Sequence, residues 1–235
     1  MARPALSVRD LTVGAPGFLR VPILDLPPGS WTVLRGPSGG GKSTLLDILA
    51  GLRRRQPASS EGLAWSGTVW AGDVELSAAT IGRYRRSVAW LPQRPELETG
   101  VVRESFTSLA GYRDSGFTSP AEAVAAAEPL LERLDLPRAI LDQPAETLSG
   151  GETTRVALTR LIILKRPVVL LDEPGAALDE PRSQAAAALV RHALRESAVL
   201  VVAHDAVWEI PESRRATIHN GVLTVSSGNP TEAPT

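Results

Sequence analysis

The apolar positions along the chain fall into short runs that change period. Leu6, Val8, Leu11 and Val13 predict a strand over Leu6–Val13, closed by a turn signal at Pro16-Gly17. A short apolar stretch at 23–26 precedes a turn at Pro27-Pro28-Gly29. Trp31–Arg35 predicts a strand that runs directly into a glycine-rich segment, 36–41. Leu45, Leu46, Ile48, Leu49 and Leu52 then recur at helical spacing, with Gly51 where a helix stop belongs. Residues 53–80 hold no sustained period and offer only strand candidates at 68–70 and 74–76. Val88–Leu91 is a bare apolar strand stopped by Pro92.

From 96 to 147 the pattern is mostly helical. Pro120-Ala121-Glu122 reads as a helix start, and 121–127 with Leu130, Leu131 and Leu134 supplies its apolar face. A second helical segment, 153–164, ends before Pro167. Two unalternated apolar runs follow, 168–171 and 198–203, with an alanine-rich helix over about 181–195 between them. A bare strand, a helix and another bare strand predict a parallel sheet buried on both faces. No internal repeat is present. The small polar tail, 226–235, is expected to be disordered.

Composition narrows this picture without redirecting it. The 235 residues are 43% hydrophobic and 22% charged, ordinary values for a globular chain. A net charge of −1 provides no bulk attraction to nucleic acid or acidic lipid. The absence of cysteine excludes disulfides and thiolate metal sites. The first ten residues show no signal peptide, and no run reaches the ~18 to 20 apolar residues of a membrane span. The expected location is therefore cytoplasmic, with any membrane spans supplied by another chain.

The chemistry begins at Gly36-Pro37-Ser38-Gly39-Gly40-Gly41-Lys42-Ser43, which fits G-x-x-x-x-G-K-[ST]. Backbone N–H groups can wrap a polyphosphate only where no Cβ obstructs them, hence the glycines. The loop opens a helix, so unpaired N–H groups and the positive dipole end face the anion. Lys42 is placed to reach the β- and γ-phosphates, and the Ser43 hydroxyl to coordinate Mg²⁺. The plainer alternative, a glycine-rich turn, does not explain a strand before it and a strong helix after it.

The run 168–171 ends in Asp172-Glu173. A carboxylate there can hold Mg²⁺ and its neighbour can orient an attacking water, although a strand emerging into solvent often ends this way too. Leu148-Ser149-Gly150-Gly151-Glu152 opens the next helix. Taken alone it reads as a plain N-cap, with Ser149 capping and Glu152 closing a capping box.

In order along the chain, these elements resemble the nucleotide-binding subunit of an ATP-binding cassette (ABC) transporter, from about residue 6 to residue 225. Walker A covers 36–44 and ends in Thr44. A Q-loop glutamine follows at Gln93 and the LSGG signature at 148–151. Walker B ends at Asp172 with Glu173 adjacent, a D-loop lies at Ala177-Leu178-Asp179, and a switch histidine stands at His204. The resemblance implies an α/β P-loop NTPase core with a mostly parallel sheet, a small antiparallel β-lobe and a helical lobe inserted at about 96–165, in one domain over 1–225.

It further implies two cassettes packed head to tail, as a homodimer or with a close relative. Each ATP would lie between Lys42 of one subunit and Ser149, Gly150 and Gly151 of the other. Glu173 would polarise the water, His204 would contact the γ-phosphate, Gln93 would reach Mg²⁺ or the water, and Asp179 would touch the opposite subunit. A separate polytopic permease would dock near Gln93, around 94–102, holding the chain at the cytoplasmic face of the cell membrane.

Three positions depart from the family pattern. The aromatic that stacks on adenine is expected near Gly14 or Ala15; Phe18 is the nearest candidate and could equally pack under the loop. Glu152 replaces the commoner Gln. Gly175-Ala176-Ala177 stands where hydroxyl residues are usual. The arginines 53–55 and Arg83, Arg85 and Arg86 read as a solvated face, and Trp65 and Trp70 as packing residues, so no nucleic-acid partner is expected. Two other functions fit the same motifs: a soluble cassette ATPase acting on nucleic acid or the ribosome, and a slow nucleotide-dependent switch. Relatives of the first kind usually carry two cassettes, coiled coils or zinc insertions, and Glu173 with His204 argues against the second.

Overall fold

The computed structural model describes residues 3–14, 18–53, 64–112, 114–210 and 212–226. The tail beyond 226, and Ala15, Arg54 and Arg55, lie outside the described residues. Among those described, ten strands join one mixed sheet. The antiparallel part is β1 (Leu6–Val13), β2 (Leu19–Leu26), β4 (Trp65–Ala71) and the short β5 (Val74–Glu75). The parallel part runs β9 (Arg214–His219), β3 (Trp31–Arg35), β8 (Ala198–Val202), β7 (Val168–Asp172), β6 (Val88–Leu91). A hairpin partner of β9, β10 (Val222–Ser226), links the two parts by pairing with β2.

The unalternated runs behave as a doubly covered sheet requires. On β7, Val168 and Leu170 join one hydrophobic cluster while Val169 and Leu171 join another, and all four are buried. The first cluster is completed by α1 (Lys42–Leu49) through Leu45, Leu46, Ile48 and Leu49, wedged between the parallel strands and the antiparallel arm. The second is covered by α5 (Gly150–Leu164) and α6 (Glu180–Ala193). Each such apolar side chain, fully buried, stabilises the fold by roughly 1.5–3 kcal/mol before entropy is counted.

A third cluster lies apart from the sheet. There α3 (Val102–Thr107) and α4 (Pro120–Arg133) pack on one face of α5 through Phe106, Leu131, Val156 and Ile163. The segment 96–147 is less helical than its pattern predicts. Only α3, α4 and three short 3₁₀ turns are regular, because Pro137 and Pro144 precede two of those turns in extended conformation. Ser119 caps α4 as its sequence suggests. Three elements are longer or additional to those predicted: β2 begins at Leu19, β4 begins at Trp65, and the β9–β10 hairpin turns at Asn220-Gly221, both with positive φ.

Candidate functional site

The parallel strands deliver their next residues to one edge of the sheet, the usual place for a ligand in an α/β fold. Strand β3 leads into the glycine loop, β6 into Gln93, β7 into Asp172 and Glu173, and β8 into His204. Gly41 precedes α1 at φ 89 and no side chain caps the helix. Its first-turn N–H groups are thus left for an anion. At Gly40 a Cβ would stand 3.0 Å from the Pro37 carbonyl oxygen, so a side chain there would need the loop to give by a few tenths of an ångström. Lys42 is buried, and its ammonium donates to the carbonyls of Gly36 at 2.9 Å and Pro37 at 3.0 Å, inside the loop.

A cleft of about 270 Å³ opens over this loop, with Ser38, Gly39, Lys42, Ser43 and Thr44 on one wall and Glu173 and His204 on the other. Phe18 lines the same cleft and also approaches the Gly41 Cβ position to 3.5 Å. The two alternatives for Phe18 are therefore compatible: it packs beside the loop with a surface open to the cleft.

The acids are held differently. Asp172 is 4% exposed. Burial pushes its carboxyl above the usual range, opposed first by a hydrogen bond from the Ser43 hydroxyl, while Glu173 and Asp47 add to the rise and Lys42 counters it. Ser43 and Asp172 thus form an adjacent all-oxygen pair. Such a pair suits Mg²⁺, which takes one or two carboxylates and completes its shell with water and phosphate oxygens. Glu173 has φ 48, an uncommon conformation for a residue with a side chain, costing on the order of 1 kcal/mol or more. Its N–H donates to the Val202 carbonyl at 2.7 Å, extending the β7–β8 ladder by one step before the turn. Its carboxylate accepts from Gln93 Nε2 at 2.7 Å and lies 3.3 Å from His204 Nε2. Gln93, Glu173 and His204 are brought together, from three different strands.

The LSGG segment is elsewhere. Ser149, Gly150 and Gly151 do not line the cleft over the glycine loop. Ser149 caps α5 with both arms of a capping box: the Glu152 N–H donates to Ser149 Oγ at 3.3 Å, and Glu152 Oε2 accepts from the Ser149 N–H at 2.9 Å. The Ser149 hydroxyl also donates to Glu152, at 2.7 Å. These bonds hold the Glu152 carboxyl below the usual carboxylate range. At Gly151 a Cβ would meet the Ala177 carbonyl at 2.9 Å, so the helix start and the 177–179 loop are in close packing. Asp179 caps α6 through Arg182 N–H, and Arg182 pairs with both Asp179 and Asp135.

Arg155 is a residue the sequence reading overlooked. Its guanidinium is buried and donates to the carbonyls of Leu134 and Asp135, both at 2.8 Å, and of Gly151 at 3.2 Å. It thereby ties the start of α5 to the C-terminal turn of α4, which closes through Asp135 at φ 57. The available signal was a charge on the apolar stripe of its helix. Among the surface arginines, Arg53 pairs with Asp47, Arg83 with Asp73 and Arg86 with Asp114, while Arg85 donates to the Gly51 carbonyl. Trp65 is buried in β4.

A glycine loop between strand and helix, with strand-end acids facing it across a cleft, defines a P-loop nucleotide-binding fold. The family model for ABC transporters matches residues 19–176. The chain belongs to that family. It is 33% identical over 220 residues to an uncharacterized ABC transporter ATP-binding protein of Mycobacterium bovis, a match covering 85% of this chain and 60% of that one. It is 33% identical to the macrolide export ATP-binding/permease protein MacB of Marinobacter nauticus, over 96% of this chain and 35% of that one. The phosphonates import ATP-binding protein PhnC of Hyphomonas neptunium is 32% identical, over 76% and 67%. The chain therefore spans about 60% of the mycobacterial relative and about a third of MacB. A solved dimeric bacterial ABC transporter cassette superposes with TM-score 0.79 at 23% identity, covering 95% of this chain and 99% of that one, a likeness of fold.

Proposed function

We propose that this chain binds Mg²⁺-ATP and hydrolyses it as one of two cassettes that together drive a membrane transporter. The observation that carries the reading is the cleft in which the glycine loop faces Glu173 and His204, while Ser149, Gly150 and Gly151 lie outside it. One chain holds two phosphate-type helix starts, and only one of them faces its own loop. A second copy, or a close relative, packed head to tail would bring its Ser149 and Gly151 to the open side of the cleft.

In this reading Lys42 and the loop N–H groups bind the phosphate chain and Thr44 lines its bed. Ser43 and Asp172 hold Mg²⁺, which neutralises charge on the phosphates when bound. Glu173 orients and polarises the attacking water, with Gln93 and His204 fixing its carboxylate. Asp179, at the head of α6, faces the partner.

No helix among the described residues is long and apolar enough to cross a membrane. The membrane-spanning partner is a separate polytopic permease. Its docking place is a second cleft, of about 260 Å³, between the sheet edge and the helices, lined by Trp90, Pro92, Pro95, Leu109 and Tyr112. That would hold the chain at the cytoplasmic face of the membrane, with the helical lobe at 96–165 turning beside the cleft.

The test is gel filtration of Glu173→Gln with and without ATP, beside an ATPase assay of the unaltered chain. Hydrolysis by the unaltered chain and an ATP-dependent dimer of the variant are expected. A variant that stays monomeric with saturating ATP would count against the paired site. Recovery of ribosomes or DNA, instead of a polytopic protein, from a pull-down in mild detergent would sink the transporter assignment.

A further inference from the structure

Glu173 and His204 lie on different loops, yet both loops rest on the same two buried atoms. Ser183, in the first turns of α6, is 1% exposed. Its hydroxyl donates to Asp205 Oδ2 at 2.9 Å and accepts from the Trp208 indole Nε1–H at 3.1 Å. Asp205 is the immediate neighbour of His204, and its other carboxylate oxygen accepts the Val207 N–H at 2.9 Å. The backbone that carries the histidine is therefore held from two directions.

Trp208 cannot drift. It is fully buried, its ring stacks on Trp31 at 6.5 Å and 16°, and its carbonyl accepts from Trp31 Nε1–H at 2.9 Å. The loop leaving Glu173 meets the same pair at Gly175. A Cβ there would stand 2.7 Å from Ser183 Oγ and 2.9 Å from Trp208 Nε1. Gly175, one of the departures from the family pattern, is thus the residue that lets the Glu173 loop settle onto the serine and the indole. A small cavity of about 130 Å³ has Glu173 and His204 on its wall together with Gly175, Asp205 and Trp208.

We propose that Ser183, joined to Trp208 by a buried hydrogen bond under Gly175, is a positioning residue for hydrolysis, setting the spacing of His204 and Glu173. Ser183 is buried and does not line the cleft over the glycine loop. It acts through Asp205 on one loop and through Gly175 on the other. The inference rests on the hydrolytic reading of Glu173 and His204. A hydroxyl that only filled the core would contribute to stability and leave the kinetics of the folded enzyme alone.

The experiment uses the full chain with Mg²⁺-ATP in four forms: unaltered, S183A, W208F and the double variant. S183A is expected to lower kcat by roughly tenfold, the worth of one buried hydrogen bond. KM for ATP should stay within about twofold, because the glycine loop is untouched. W208F, which removes the indole donor together with part of the ring stacked on Trp31, should show the same split once folding is confirmed. The double variant should fall no further than the worse single one, since both remove one connection. Near-UV circular dichroism should show that S183A keeps the Trp31–Trp208 stack. An S183A enzyme with unaltered kcat, a loss confined to KM, or fully additive losses would overturn the proposal. If S183A does not fold, the kcat and KM of W208F decide by the same criteria. An unaltered chain without ATPase activity would overturn the hydrolytic reading itself, and this inference with it; activity there with an unaffected S183A overturns this inference alone.

Discussion

Gln93 Nε2 donates to Glu173 Oε2 at 2.7 Å, across 80 positions of sequence. His204 Nε2 stands 3.3 Å from the other oxygen, so the carboxylate is hydrogen-bonded at one end and approached by the imidazole at the other. A group aimed this way is already oriented before a water arrives, and orientation is where a positioned base gains most of its effect. Replacing Gln93 by Ala removes that hydrogen bond and leaves the imidazole in place. We expect kcat to fall by roughly tenfold with ATP affinity nearly unchanged. Steady-state kinetics with isothermal titration of ATP would check it, and a loss of affinity equal to the loss of rate would mean that Gln93 serves binding instead.

Lys42 is the buried cation of the loop, and its ammonium is surrounded by carbonyl oxygens. Lys42→Ala removes the only buried lysine of the cleft while leaving the glycine backbone in place. ATP binding should be abolished. In thermal unfolding, ATP at about 100 times its dissociation constant should stabilise the unaltered chain by about 2.7 kcal/mol and the variant not at all. An equal shift in both would discredit the loop as the binding site.

The Glu152 carboxyl is held low by hydrogen bonds from the Ser149 hydroxyl and N–H. A depressed folded-state pKa contributes stability that is present above the unfolded value, about 4.3, and is lost as pH falls through the folded value. Glu152→Ala should therefore cost about 0.5–1 kcal/mol at pH 7, the usual worth of a helix cap. The difference from the unaltered chain should shrink below about pH 4.3. Urea unfolding across that range would show it, and a difference independent of pH would assign the effect to packing.

Arg155 is buried with three carbonyl partners, two of them at the end of α4. Arg155→Leu keeps much of the volume but leaves those carbonyls without their donor. A cost of about 2–4 kcal/mol is expected, near the upper end for single substitutions. Arg182→Ala is the contrast. Its ion pairs to Asp135 and Asp179 are exposed to solvent and screened, and their loss should cost far less than that of the buried guanidinium. Denaturant midpoints that reversed this ranking would show that the surface network, not the buried guanidinium, joins α5 and α6 to α4.

The motifs that depend on backbone conformation were legible in the sequence. Gly41 with positive φ, the Ser149 capping box and the Ser119 cap are local requirements, satisfied by residues within four positions of each other. Four of the parallel strands, β3, β6, β7 and β8, were equally plain, because burial on both faces demands an unbroken apolar run. Less legible were elements whose residues alternate. The β9–β10 hairpin escaped notice although Asn220-Gly221 is a strong turn signal, and β2 was seen only in its second half, since Arg20 and Pro22 interrupt the pattern.

By itself, the sequence determined the family, the buried parallel strands of the core, and the motifs at 36–44, 148–151 and 168–173. Only the tertiary structure decided how they meet: Gln93 and His204 at the Glu173 carboxylate, Ser149 outside the cleft that Lys42 lines, and Ser183 with Trp208 beneath the loops that carry Glu173 and His204. The difference has a physical cause. A glycine turn or a helix cap is dictated by its own few residues, so it leaves a local signature. A contact between side chains from separate strands depends on strand order and packing, and any residue type that fits the space can make it.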